Sequence, residues 1–184
     1  RNSKTVKDKH LLNIDVSYNV APSHQVLTLT SEPALMRWSY NPTWAKAPMN
    51  LINARSETLR VKPSFKMAKR CLIVADGWYE WLRTDNKKQP YFFHMNDSLF
   101  NFAGIYTEYN GEMGCAIITK DAIQKLSTVH HRMPIIIADD EADSWLSGED
   151  VFDSKSSEDI EFYPVSTLVN SPRNNDIDCV KQVL

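Results

Sequence analysis

Glycine is scarce in this chain, with five in 184 residues. None belongs to a phosphate-cradling loop or a G-x-S-x-G elbow, which argues against a P-loop, a dinucleotide-binding fold or a serine hydrolase. Cysteine is rarer still. Cys71, Cys115 and Cys179 are odd in number and widely spaced, so they offer neither a zinc-ligand pair nor a disulfide framework, and a reducing compartment is expected. No metal or other cofactor is expected. No apolar run approaches the roughly 20 residues that span a bilayer. The opening RNSKTVKDKH is basic but lacks the apolar stretch of a secretory leader. No membrane partner is expected. Net charge is only −2, so the chain as a whole offers no electrostatic case for nucleic acid.

The distribution of charge is less even. Arg55 to Lys88 holds nine Lys/Arg against four acids, whereas Asp139 to Glu161 holds ten acids and one lysine. A chain divided in this way can carry a basic face despite its near-neutral sum. Hydrophobic residues make up 42% and charged residues 24%, the balance of an ordinary globular chain long enough to bury a core. A single domain over residues 1–184, acting as a monomer, is expected.

Alternating and β-branched segments predict strands at Val26–Thr30, Ala34–Tyr40, Cys71–Leu82, Pro90–Met95, Phe100–Tyr106, Gly114–Thr119, MPIIIA (Met133–Ala138) and Phe162–Ser166. Asn86–Lys88 and Tyr109–Glu112 read as turns, the second through its Asn110-Gly111 hairpin signal. Helices are expected over Lys62–Arg70, over DAIQKLSTVH with Asp121 as N-cap, and over DDEADSWLSG with Gly148 as the stop. Consecutive strands with a few short helices predict an α+β fold around a largely antiparallel, barrel-like curved β core.

Four segments could carry chemistry. In NARSET, Asn53, Arg55 and Glu57 share one strand face, which makes either a solvated edge or the floor of a polar site. In ADGWYEWL, Trp78 and Glu80 share a face, with Tyr79 and Trp81 on the other. Glu80 either lies on a solvated edge or is dehydrated among aromatics, which would raise its pKa and suit it to proton transfer near neutral pH. In STVHHRMPIII, His130 and His131 adjoin Arg132 at a helix–strand junction. That junction is either structural or the rim of a pocket with a phosphate-type donor. The loop with Ser171, Arg173, Asn174 and Asn175 could bind phosphate or be an ordinary polar loop. Cys71, opening an apolar strand, is expected to be a buried structural thiol.

Together the blocks YNVAPS, RW…NPTW, NARSET, RCLIVADGWYEW, KKQPYFF, VHHRMP and YPVSTLVN, in this order between about Tyr18 and Asn175, resemble the signature segments of the SOS-response-associated peptidase (SRAP) family. That resemblance implies a DNA-repair protein that binds single-stranded DNA and captures abasic sites. In the family an N-terminal cysteine, exposed by self-removal of the initiator methionine, condenses through its α-amine with the opened sugar aldehyde, and its thiol then closes a thiazolidine. The resemblance places catalytic roles on Asn53, Glu80 and His130 and DNA contacts on Arg55, Arg132, Trp44, Arg173 and Asn19. The three are expected to converge on one pocket. His131 is expected to be a neighbour rather than an actor. The alternative readings are a thiol peptidase acting on peptides, or a non-covalent single-strand binder if the N-terminal cysteine is absent; lyase activity is an expectation that accompanies cross-linking.

Chemistry fits these implied roles. An α-amine and a thiol have pKa values of about 8 and about 8.5, so both need proton management at neutral pH. The family opens Met-Cys-Gly-Arg, and this sequence opens Arg1-Asn2-Ser3. The expectation is that Met-Cys is encoded upstream, because an internal cysteine has its nitrogen in a peptide bond and can form no Schiff base. The implied location is cytoplasmic in a bacterium and nuclear in a eukaryote.

Overall fold

The computed structural model describes residues 15–85, 87–96, 98–153 and 155–184, without the side chains of residues 155 and 156. The first part of the polar N-terminus lies outside the described residues, as does Asn86 of the turn expected at Asn86–Lys88, whereas Lys87 and Lys88 are already strand residues paired with Thr84 and Arg83.

The strands are β1 (Gln25–Leu29), β2 (Pro33–Arg37), β3 (Asn53–Arg55), β4 (Lys69–Ala75), β5 (Gly77–Thr84), β6 (Lys87–His94), β7 (Phe100–Tyr109), β8 (Glu112–Asp121), β9 (Arg132–Pro134), β10 (Ile136–Ile137) and β11 (Glu161–Pro164). Among the described residues the helices are α1 (Gln124–Ser127) and α2 (Ala142–Ser147), and several single 3₁₀ turns lie elsewhere along the chain. Pairings β1–β2, β2–β8, β8–β7, β7–β4 and β4–β1 close a ring. The ring is uneven, because the β2–β8 seam is parallel and registers only Arg37 with Gly114. A second, antiparallel sheet runs β11–β6–β5. This is the mixed, curled-sheet α+β architecture that the consecutive strands predict.

Period-two alternation distributes the apolar side chains over two cores. Cys71, Ile73, Phe100, Phe102 and Cys115 face one side of the ring strands, where Phe93 and Trp78 of the second sheet pack against them. Leu72, Ala103, Ile105, Ala116 and Ile118 face the other, beside Tyr40 and Trp145. The outer face of the second sheet is covered by a smaller cluster in which Val165, Val169 and Cys179 meet Tyr79, Trp81 and Tyr18. Strands buried on both faces read as near-continuous apolar runs, as CLIV and GCAII do.

Several element boundaries differ from expectation. Cys71–Leu82 is two strands in different sheets, parted at Asp76. Lys62–Arg70 holds only the 3₁₀ turn Pro63–Phe65, because Lys69 and Arg70 pair with Tyr106 and Ile105 at the start of β4. Asp121 is no N-cap: it ends β8 opposite Arg132, and α1 begins after Ile123. The MPIIIA strand is divided between β9, which pairs with β8, and β10, which pairs with β7. The Asn110-Gly111 turn has φ of 52° and 80° and joins β7 to β8 as expected, and Gly148 ends α2 at φ 112°.

Candidate functional site

Strand β5 separates two environments. Its Trp78 packs against the ring with Phe93 at a stacked 5.0 Å, whereas Tyr79 and Trp81 face the small outer cluster. Glu80 lies on the Trp78 side, between the two sheets, with a side chain only 24% exposed. Burial pushes its carboxyl up to about 7, and His130 pulls it back down by a smaller amount.

His130 reaches Glu80 from the turn after α1. Its Nδ1 lies 3.5 Å from Glu80 Oε2, accepts from the Arg132 backbone N–H at 3.3 Å, and is 3.0 Å from the Arg132 carbonyl oxygen. His131 lies beside it, ring centroids 4.6 Å apart. Two residues 50 positions apart in the sequence thus form a carboxyl–imidazole pair that can hold and pass one proton near neutral pH.

Asn53 and Arg55 join this region through β8. In β3 both are exposed and flank the buried Ala54, with Asn53 opposite Ile117 and Arg55 opposite Thr119. Thr119 also receives the Arg132 guanidinium, at its carbonyl (2.8 Å) and its hydroxyl (3.3 Å). Arg55 and Arg132 are therefore brought to one stretch of β8 from neighbouring strands. Asn53 makes no hydrogen bond to Glu80 or His130 among the described residues.

The other residues singled out in the sequence sit differently. Arg132 is 12% exposed and ion-paired with Glu57 and Asp121. Asn19 is buried, and its Nδ2 donates to the carbonyls of Val169, Ser171 and Asn174. From the other side, Asn175 Oδ1 accepts from Ser17 Oγ and from the backbone N–H groups of Tyr18 and Asn19. This clamp shapes the loop that carries the exposed Arg173. Tyr79 and Trp81 anchor it to the outer face of β5 by donating to the Tyr18 carbonyl (2.6 Å) and to Asn170 Oδ1 (2.7 Å). Trp44 is 57% exposed and is fixed by an Nε1–H bond to the Pro63 carbonyl at 3.3 Å. Arg55 and Arg173 make no ion pair among the described residues. All three cysteines are buried free thiols, and burial raises Cys71 strongly and Cys115 to about 12, so neither is a ready nucleophile.

Sequence reasoning missed the partners of Arg132. Glu57, expected on one strand face with Asn53 and Arg55, instead lies in the 3₁₀ turn Ser56–Thr58 that follows β3, and Asp121, expected as a helix cap, ends β8. It also missed Asn175 as a clamp, for which the sequence offers no sign beyond an asparagine-rich loop.

A curled β core in which a dehydrated carboxyl meets an imidazole, with the exposed Arg55 on the same stretch of β8 that receives Arg132, is a candidate proton-transfer site. The chain belongs to the SOS response associated peptidase (SRAP) family, whose model matches residues 2–172. It is similar to the abasic site processing protein YoqW of Bacillus subtilis, 38% identical with 90% of this chain and 85% of that protein covered. It is also 35% identical to the abasic site processing protein HMCES of Gallus gallus, covering 79% of this chain and 56% of that one. A crystal structure of a Bacteroides thetaiotaomicron protein superposes with a TM-score of 0.79 at 27% identity, covering 100% of this chain and 92% of that one.

Proposed function

We propose that this protein binds single-stranded DNA and captures abasic sites covalently, through an N-terminal cysteine exposed when the initiator methionine is removed. The observation that carries the reading is the Glu80–His130 pair, 3.5 Å apart, with Glu80 raised to about 7. The ring-opened abasic sugar is an aldehyde. The α-amine must be neutral to attack it. The carbinolamine then loses water to a Schiff base, and the thiol adds across the C=N bond to close the thiazolidine. Each step moves a proton, and a carboxyl near neutrality can both take one and return it. In this reading Glu80 shuttles the proton, His130 assists sugar ring opening, and Asn53 orients the opened sugar or the cysteine backbone by hydrogen bonds. Arg55 and Arg173 meet phosphate, and the exposed Trp44 offers a ring on which a base can stack.

The test is to incubate the protein carrying Met-Cys at its N-terminus, and a chain that begins at Arg1, with single-stranded DNA bearing one abasic site. The cysteine-bearing protein is expected to give a heat-stable shifted band on a denaturing gel, and the chain beginning at Arg1 none. Equal, equally stable cross-linking by both would overturn the mechanism.

A further inference from the structure

Arg132 is the most heavily engaged cation at the site. A guanidinium has five N–H groups. Nη1 donates to Glu57 Oε1 and Asp121 Oδ1, each at 2.6 Å. Nη2 donates to Glu57 Oε2 at 3.0 Å and to the Thr119 carbonyl at 2.8 Å. Nε is buried and has no hydrogen-bond partner among the described residues. The four terminal N–H groups are thus all taken up within the protein, in a fork-to-fork pair with Glu57 that fixes orientation as well as charge.

The backbone of the same residue holds the imidazole. The Arg132 N–H donates to His130 Nδ1, and the Arg132 carbonyl lies 3.0 Å from that nitrogen. With Nδ1 unprotonated, the ring accepts from Arg132. With Nδ1 protonated, it donates either to the Arg132 carbonyl or toward Glu80. A shift of the Arg132 backbone therefore changes both the tautomer and the distance to Glu80. The charged groups facing this unit are Glu80 from β5, Glu57 from the turn after β3, Asp121 from β8 and His131 beside the ring.

We propose that Glu57 is a positioning residue: with Asp121 as its second arm, it clamps Arg132 and thereby holds His130 in register with Glu80. Its meaning for catalysis rests on the proposed capture of abasic sites, but the geometric claim does not.

The test uses Glu57→Gln, with Asp121→Asn as a second variant at an exposed position. On the free protein, ¹⁵N-detected NMR of the histidine rings is expected to show changed tautomer populations for His130, with His24 and the dispersed amide spectrum unaltered. In the cysteine-bearing protein, the cross-linking rate at saturating DNA is expected to fall about tenfold, within the range that small misplacements cause. Affinity for an intact strand is expected to stay within about twofold, because Glu57 and not a phosphate ligand has been altered. Glu57→Asp is expected to restore part of the rate. Unchanged His130 signals in both variants would overturn the inference. So would a tenfold gain in intact-strand affinity with an unmoved ring, which would mean that the carboxylates merely shield Arg132 from phosphate. If the unsubstituted protein forms no cross-link, the proposed function fails, and the NMR readout still decides whether Glu57 positions His130.

Discussion

Glu80 shows how one residue takes its chemistry from its surroundings. A carboxyl on a two-sided strand is ordinary when one side meets water. Here the Trp78 side meets the ring sheet, and dehydration favours the neutral form. Because burial holds the folded-state pKa near 7 against an ordinary value of 4.5, the folded protein binds a proton between these pH values that the unfolded chain does not. The stability from neutral Glu80 is therefore complete below about pH 4.5 and is lost as pH rises through about 7. Glu80→Gln is expected to flatten this dependence and to make the protein more stable at pH 8 by on the order of 2 kcal/mol. Urea unfolding at pH 5 and pH 8 checks it, and a variant as pH-sensitive as the parent would show that Glu80 is well hydrated.

Among the elements, β8 does most to assemble the site. It pairs with β7 along its first half, then with β3 on one edge and β9 on the other. It therefore delivers Arg55, Arg132 and, through the following turn, His130 to one region. Its start also closes the ring, where Gly114 meets Arg37. A Cβ at Gly114 would lie 2.3 Å from the Ser39 carbonyl oxygen, a backbone atom that cannot swing aside. Gly114→Ala is expected to cost about 2 kcal/mol, in the range of overpacked interiors. Thermal unfolding checks the loss, and amide exchange should rise first in β2 and the first half of β8.

For the whole molecule, what matters is which cations remain available. Of the nine basic residues between Arg55 and Lys88, Arg60 and Arg70 are tied to Asp150 in the acidic segment. Arg70 also lies over the Trp145 ring at 4.0 Å. The charge asymmetry of the sequence is thus partly used in holding the fold. Arg55 and Arg173 remain exposed. Each of Arg55→Ala and Arg173→Ala is expected to weaken binding to intact single strands and to lower the slope of log K against log salt by about 0.7, the contribution of one phosphate contact on a single strand. Titrations at several salt concentrations check this, and unchanged slopes would remove these arginines from the DNA path.

Much of this was legible in the sequence. Local patterning suffices for most strands, the hairpin at Asn110-Gly111 and the two faces of β5, because alternation and turn chemistry act over a few residues. The ordered blocks from YNVAPS to YPVSTLVN were enough for the family. The division at Asp76 was not legible, since an apolar run looks the same whether it continues one sheet or passes to a second. Nor were the engagement of Arg132 by Glu57 and Asp121 and the burial of Asn19. Asn19 and Asn175 are 156 residues apart, and no local pattern reports such a pairing. The sequence by itself determined which residue types were available and on which side of each strand they lie. Only the tertiary structure decided which carboxyl loses its water and which arginine keeps a free face, because hydration and ion pairing depend on neighbours that are distant in the chain.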